Sequence, residues 1–177
     1  MPTGNFVYDL TRFNDYTEWT VLGTETESLA NSTNTPSGLG AISFAKVDKA
    51  GTTTYAGVYR TVDLDLIHGF PAHFCSEDRL VVSFYIGALT DVAQLEVRIG
   101  TSASHHNVWT IDDSAMTAST WQSLSTKWGT CTVTGNGMDP SNIDYMAVAV
   151  KFDAEDKELA GIIFDRVYLL PNTATVS

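Results

Sequence analysis

The stretch whose reading decides the fold is Leu80–Ser102, LVVSFYIGALTDVAQLEVRIGTS. Leu80, Val82, Phe84 and Ile86 alternate with Val81, Ser83 and Tyr85. After a loop, Leu95, Val97 and Ile99 alternate with Glu96 and Arg98. Successive side chains of a strand point to opposite sides, so an apolar residue at every second position puts one face on a core. Two β-strands joined by GALTDVAQ follow, with Val82, Phe84, Val97 and Ile99 as core.

The same patterning recurs on both sides. Phe6–Phe13 (FVYDLTRF) and Trp19–Leu22 read as short strands, separated by the turn signal Asn14-Asp15. Thr24–Gly40 is rich in Ser, Thr, Asn and Gly and reads as one long surface loop, with room for a short strand near Ser28–Ala30. Ala41–Val47 and Tyr55–Leu66 are strands. On the second, Val58, Val62, Leu64 and Leu66 face one way; Tyr59, Thr61, Asp63 and Asp65 face the other. His68–Asp78 is a loop. Asn107–Asp112, Trp121–Leu124, Lys127–Thr134, Ile143–Phe152 and Leu159–Leu170 complete the series, and Pro171 ends it. Roughly nine to eleven strands in succession, with no amphipathic helix and no repeat, predict an all-β protein. The expected form is a single domain over residues 1–177: an antiparallel β-sandwich of jelly-roll type with little helix.

A chain of 177 residues with 44% hydrophobic content can bury a core without disulfides or metals. Acidic residues outnumber basic ones 21 to 10, for a net charge of -11. This excludes nucleic acid as the main partner, because phosphate binding needs a basic face, and disfavours an anionic membrane surface. No apolar run approaches the roughly 20 residues of a membrane helix. The start, MPTGNFVYDLTRF, lacks the basic and apolar regions of a secretory signal, so synthesis and release in a cytoplasm is expected. Cys75 and Cys131 read as two free thiols or as one bridge.

No reaction is named by a motif. There is no G-x-S-x-G elbow, and Cys75, near His73, is flanked by Glu77 and Asp78 rather than by cations. His68, His73 and Cys75 match no zinc spacing, and the adjacent His105 and His106 read as polar loop residues. Asp63 and Asp65 share one strand face, so they cannot straddle a glycosidic bond. No catalytic residue is assigned, and the chain is expected not to be an enzyme.

Aromatic residues carry a stronger signal. Trp19 and Trp121 begin apolar pieces and are expected in the core. Tyr59, Tyr85 and Trp109 sit opposite apolar faces and form a sugar-stacking platform in one reading, with Asp63 and Asp65 as hydrogen-bonding partners. Asp165 interrupts the closing strand in register with Ile163, Val167 and Leu169, and a buried carboxylate there needs a donor, a cation or a metal. Calcium takes such oxygen ligands, and Asp9, Asn14 and Asp15 could join Asp165 if the first and last strands pair.

The pieces EWTVLG, GAISF, YAGVYRTVDL, LVVSFYI, LEVRIGTS and IIFDRVYLL together resemble carbohydrate-binding-module jelly rolls. The last strand of such modules often carries an aromatic or aliphatic residue, then Asp and Val-x-Leu: here Phe164, Asp165, Val167 and Leu169. The resemblance implies sugar binding and, at Asp165, a structural calcium; no other cofactor is implied. The same lectin-like sandwich is similar to domains of tailed-phage virions. Loops rich in small polar residues and the lack of a catalytic set favour that version. The first expectation is therefore a non-catalytic bacteriophage virion protein, a head decoration or cement protein. It would be a homo-oligomer located in the virion, contacting major capsid or other virion proteins. Its contacts would be Phe6, Tyr8, Arg12, Asn34 and Pro36, with the termini 1–8 and 171–177. The alternative is a glycan-binding module, free or in a phage tail appendage.

Overall fold

The computed structural model describes residues 7–49, 53–64 and 76–172. These form β1 (Tyr8–Arg12), β2 (Thr20–Leu22), β3 (Thr26–Ser32), β4 (Ala41–Lys46), β5 (Tyr55–Leu64) and β6 (Arg79–Ile86). The second half holds β7 (Val92–Ser102), β8 (His105–Asp112), β9 (Gln122–Lys127), β10 (Thr132–Thr134), β11 (Ile143–Phe152) and β12 (Leu159–Leu170). Helix among the described residues is confined to three single 3-10 turns.

The strands pair antiparallel in two six-stranded sheets, packed as a sandwich. One has the order β3-β4-β12-β6-β9 with β1 also on β12; the other has the order β10-β8-β7-β11-β5-β2. The two strands of Leu80–Ser102 thus lie in opposite sheets, and residues 87–91 carry the chain across the sandwich. Leu80, Val82, Phe84, Ile86, Leu95, Val97 and Ile99 all line the core with no more than 1% exposure, as their alternation predicts. Phe164 is at the centre: its ring lies 5.8 Å from Phe13, 5.9 Å from Phe44 and 6.3 Å from Phe84. Trp19 joins this group, stacked on Phe13 at 4.4 Å.

Asp165 does not share a face with Val167 and Leu169 in the way the alternation suggested. The register of β12 on β6 shifts between Phe164 and Arg166, leaving Asp165 as the extra residue of a β-bulge. Core positions are therefore Ile162 and Phe164 before the bulge and Val167 and Leu169 after it. The bulge marks a change of partner: β12 pairs β4 up to Phe164 and β1 from Arg166 onward. At the gap, Phe13 donates its backbone N–H to the Asp165 carbonyl at 3.0 Å.

Two further departures have local causes. Thr26–Ser32 is a full strand despite its loop-like composition, because it is an edge strand with polar residues on both sides. It contains a register shift around Ser28, whose φ is +58°. The expected strand Lys127–Thr134 is broken by a 3-10 turn at Trp128–Thr130, which stacks Trp128 on Trp109 at 4.3 Å.

Lys46 occupies a core-facing position of β4, in phase with Ile42 and Phe44. Its Nζ bonds Glu25 Oε2 at 2.7 Å and the Glu155 carbonyl at 2.8 Å, 5.6 Å from the centre of the Phe152 ring. Thr53 Oγ1 donates to the same Glu25 oxygen at 3.1 Å. Both charged side chains are fully buried. A sequence that reads AKVDK gives no sign that the first lysine points inward; the partner is 21 residues away.

Candidate functional site

The outer face of the β10-β8-β7-β11-β5-β2 sheet is built by the residues that alternate with its core positions. Gln94, Glu96 and Arg98 come from β7, opposite Leu95, Val97 and Ile99. Their neighbours across the ladder on β8 are Asp112, Thr110 and Val108, and on β11 they are Lys151, Ala149 and Ala147. The long side chains of β7 thus stand between the small residues Ala147 and Ala149 on β11 and the Thr110 and Val108 positions on β8. An open groove of about 650 Å3 results, its polar lining including Gln94, Glu96, Arg98, His106, Thr110 and Lys151, with Thr132 and Thr134 from β10.

A charged network runs along the floor. Arg98 donates Nε at 3.0 Å and Nη2 at 2.7 Å to Glu96 Oε2, while Gln94 Nε2 donates to Oε1 at 2.9 Å. The Arg98 guanidinium lies over the Tyr55 ring, 5.1 Å from its centre. Beside it, Tyr145 packs 5.6 Å from His106 and 5.9 Å from Tyr59. Tyr145 O–H and His106 Nδ1 are buried and make no hydrogen bond among the described residues.

Burial, with the Arg98 charge, pushes the His106 pKa down; burial pushes the Tyr145 phenol up. A histidine whose pKa falls on folding contributes stability above its unfolded value near 6.5, lost as pH drops toward the folded value. Wild-type stability is thus expected to fall below about pH 6.5 more steeply than that of His106→Gln. Urea unfolding at pH 7.5 and pH 5 measures the difference.

The expected sugar platform is not assembled from the residues assigned to it. Tyr59 is on the groove face, half-buried. Tyr85 is on the outer face of the opposite sheet, paired with Ile163. Its ring is 6.1 Å from Trp121, which is half-buried there instead of in the core, and the indole Nε1 donates to Asn34 Oδ1 at 2.9 Å. Trp109 is 1% exposed: it pairs with Val97 and points into the core with Ile111, because β8 is in the opposite phase to that assumed. Its Nε1 donates to the Trp128 carbonyl at 2.8 Å. Asp63 is exposed, and Asp65 lies outside the described residues.

The groove-lining residues to which the sequence reading gave no functional role are Arg98, Glu96, Gln94, Lys151 and His106, with Tyr145 packed beside His106. A signal existed for Glu96 and Arg98, the polar alternates of a core strand. His106 was hidden because β8 begins at His105, two residues earlier than its apolar pattern. His105 instead accepts the Asn136 N–H on Nδ1 at 3.0 Å.

The other assigned residues fall elsewhere. Tyr8 pairs with Leu169 and packs partly on the core; Arg12 is exposed and bonds Asp9. Asn34 and Pro36 are exposed in the loop after β3. Phe6, His68, His73 and Cys75 lie outside the described residues, and Cys131 is a half-buried thiol that accepts from Asn107 Nδ2 at 3.3 Å. The calcium set does not form a shared oxygen cluster. Asp9 is held by Arg12 and Arg166, and Asp15 accepts from Thr17 at the start of a 3-10 turn. Asn14 packs against Gly40. Asp165, 3% exposed, accepts from Thr35 Oγ1 and Ser37 Oγ, each at 2.6 Å, on one carboxylate oxygen, Oδ1. Among the described residues no three His, Cys, Asp or Glu side chains are grouped to hold a metal.

Comparison with solved structures places this architecture. A family 11 carbohydrate-binding module from Clostridium thermocellum, in complex with a β-1,3-1,4-mixed-linked tetrasaccharide, superposes with a TM-score of 0.61 at 13% identity. The match covers 95% of this chain and 97% of that one. The fold is that of carbohydrate-binding modules. A family 30 module of a cellulosomal cellulase from the same organism gives a TM-score of 0.56 at 14% identity, covering 95% and 99% of the two chains. An exo-β-agarase gives 0.58 at 13% identity, with 96% of this chain matching 25% of that one. No protein-family model and no curated protein sequence matches the chain. The jelly roll expected from the sequence is thus present, while the expectation of a capsid decoration role gains no support from these structures.

Proposed function

We propose that the chain is a non-catalytic glycan-binding module that holds an oligosaccharide along the outer face of the β10-β8-β7-β11-β5-β2 sheet. The open groove carries this reading. It offers amide, guanidinium, carboxylate and hydroxyl groups along three adjacent strands, with tyrosines beside them, and its volume is in the range of ligand sites. Sugars present hydroxyls to such groups and apolar ring faces to aromatic side chains. Glycoside hydrolysis needs two carboxyl groups flanking the scissile bond. Among the groove-lining residues Glu96 is the one carboxylate, and Arg98 and Gln94 already engage both of its oxygens. The neighbouring modules of similar fold support the same reading, since one of them is in complex with a tetrasaccharide.

Calorimetric titration with neutral and acidic oligosaccharides, with and without calcium, tests it. Saturable one-site binding to at least one of them, weakened about tenfold or more by Arg98→Ala, is the expected outcome. Absence of binding to every glycan overturns the reading.

A further inference from the structure

All ten basic residues of the chain fall among the described residues, facing 21 acidic ones in the whole sequence. Eight are in ion pairs. Arg12 and Arg166 share Asp9; Lys46 takes Glu25, Lys49 Glu27 and Arg60 Glu18; Arg98 takes Glu96, Lys127 Glu77 and Lys157 Asp91. Arg79 donates to Ser125 Oγ at 3.1 Å. The Lys151 side chain alone among these ten has neither an ion pair nor a hydrogen bond among the described residues, and it lines the groove. With acids in twofold excess, one of the two cations without an ion pair stands at the site proposed to hold ligand.

Its surroundings keep it that way. Lys151 is exposed at the Gln94 end of the groove, in register with Gln94 on one side and Tyr55 on the other. Glu96, the nearest groove carboxylate along β7, is 8% exposed and held by Arg98 and Gln94. Asp112 pairs with Gln94 on its far side, two strands from Lys151 and about 9–10 Å away between backbones. His106 stands at the opposite end of the groove, in register with Gly100. An ammonium without an ion-pair partner among the described residues, on an open groove, is matched by a ligand that brings one.

We propose that the groove takes a glycan bearing an anionic group, a uronate carboxylate or a sulfate ester, with Lys151 as its charge partner; this rests on the glycan-binding reading above. A uronate and a sulfate ester present the same negative oxygens to the ammonium, and the probes tell them apart.

Three tetrasaccharides are titrated calorimetrically into the full chain: a tetragalacturonate, a sulfated galactan tetrasaccharide and a neutral β-1,3-1,4-glucotetraose. At least one acidic probe is expected to bind about tenfold or more tighter than the neutral one. Lys151→Gln should abolish that preference, and Lys151→Arg should retain it. Lys151 is exposed, and matching thermal unfolding curves show that both variants fold. Equal or tighter binding of the neutral probe, or a preference that survives Lys151→Gln, overturns the anionic-ligand proposal and leaves glycan binding standing. No binding of any probe overturns both.

Discussion

Glu25→Ala is expected to destabilise the protein by about 3–5 kcal/mol, a large part of the stability of an ordinary domain. The loss comes mainly from what remains. Lys46 would keep its ammonium beneath Phe152 with only the Glu155 carbonyl at 2.8 Å to stabilise it, at a site with no solvent exposure. A charge left unpaired in such a place costs more than the pair contributed. The double variant Glu25→Leu, Lys46→Met removes both charges and fills similar volume. It is expected to recover most of the lost stability. Urea denaturation of the wild type, the single variant and the double variant measures this. A single variant within about 1 kcal/mol of wild type would show that the pair is not buried as described.

Trp109→Ala is expected to cost about 3–5 kcal/mol and to leave glycan affinity unchanged in the folded fraction. The side chain is 1% exposed, stacks on Trp128 and ties its indole N–H to the Trp128 carbonyl. Truncation therefore leaves a cavity between the β8 backbone and the turn at Trp128–Thr130 and removes the indole hydrogen bond. A tryptophan serving as a sugar platform would behave in the opposite way, with affinity lost and stability nearly intact. Denaturation and calorimetry on the same variant separate the two roles.

The contrast between Trp109 and Tyr59 shows how much the sequence could reveal. Strand identity followed from alternation, because half-buried strands must place apolar side chains at every second position. That reasoning held for Leu80–Ile86 and Leu95–Ile99, each in one phase throughout. It failed where a bulge changes the phase, as at Asp165, or where a strand is apolar on both sides of its start. Val108 and Trp109 are adjacent and both apolar, so the pattern could not say which one faced inward; tertiary packing against Trp128 decides it. The assignment of strands to sheets was also beyond local patterning. β6 and β7 follow one another in the chain yet belong to different sheets, so Tyr85 and Tyr59 end on opposite sides of the molecule. The groove was only half legible for the same reason. Glu96 and Arg98 are visible as outward residues of one strand, but Lys151 and His106 join them only when β11 and β8 flank β7. The buried pair Lys46 and Glu25 gave no local signal, since each residue type is ordinarily solvated.

Glycan binding at the outer face of the β10-β8-β7-β11-β5-β2 sheet is tested most directly by chemical-shift mapping. The 15N-labelled chain is titrated with the tightest-binding oligosaccharide while backbone amides are followed. Shifts are expected to concentrate at Gln94–Arg98, His106–Thr110, Thr132–Thr134, Tyr145 and Lys151, leaving Tyr85, Trp121 and the loop around Pro36 unmoved. Shifts confined to Tyr85, Trp121 and that loop, or no saturable shifts with any oligosaccharide, would contradict it.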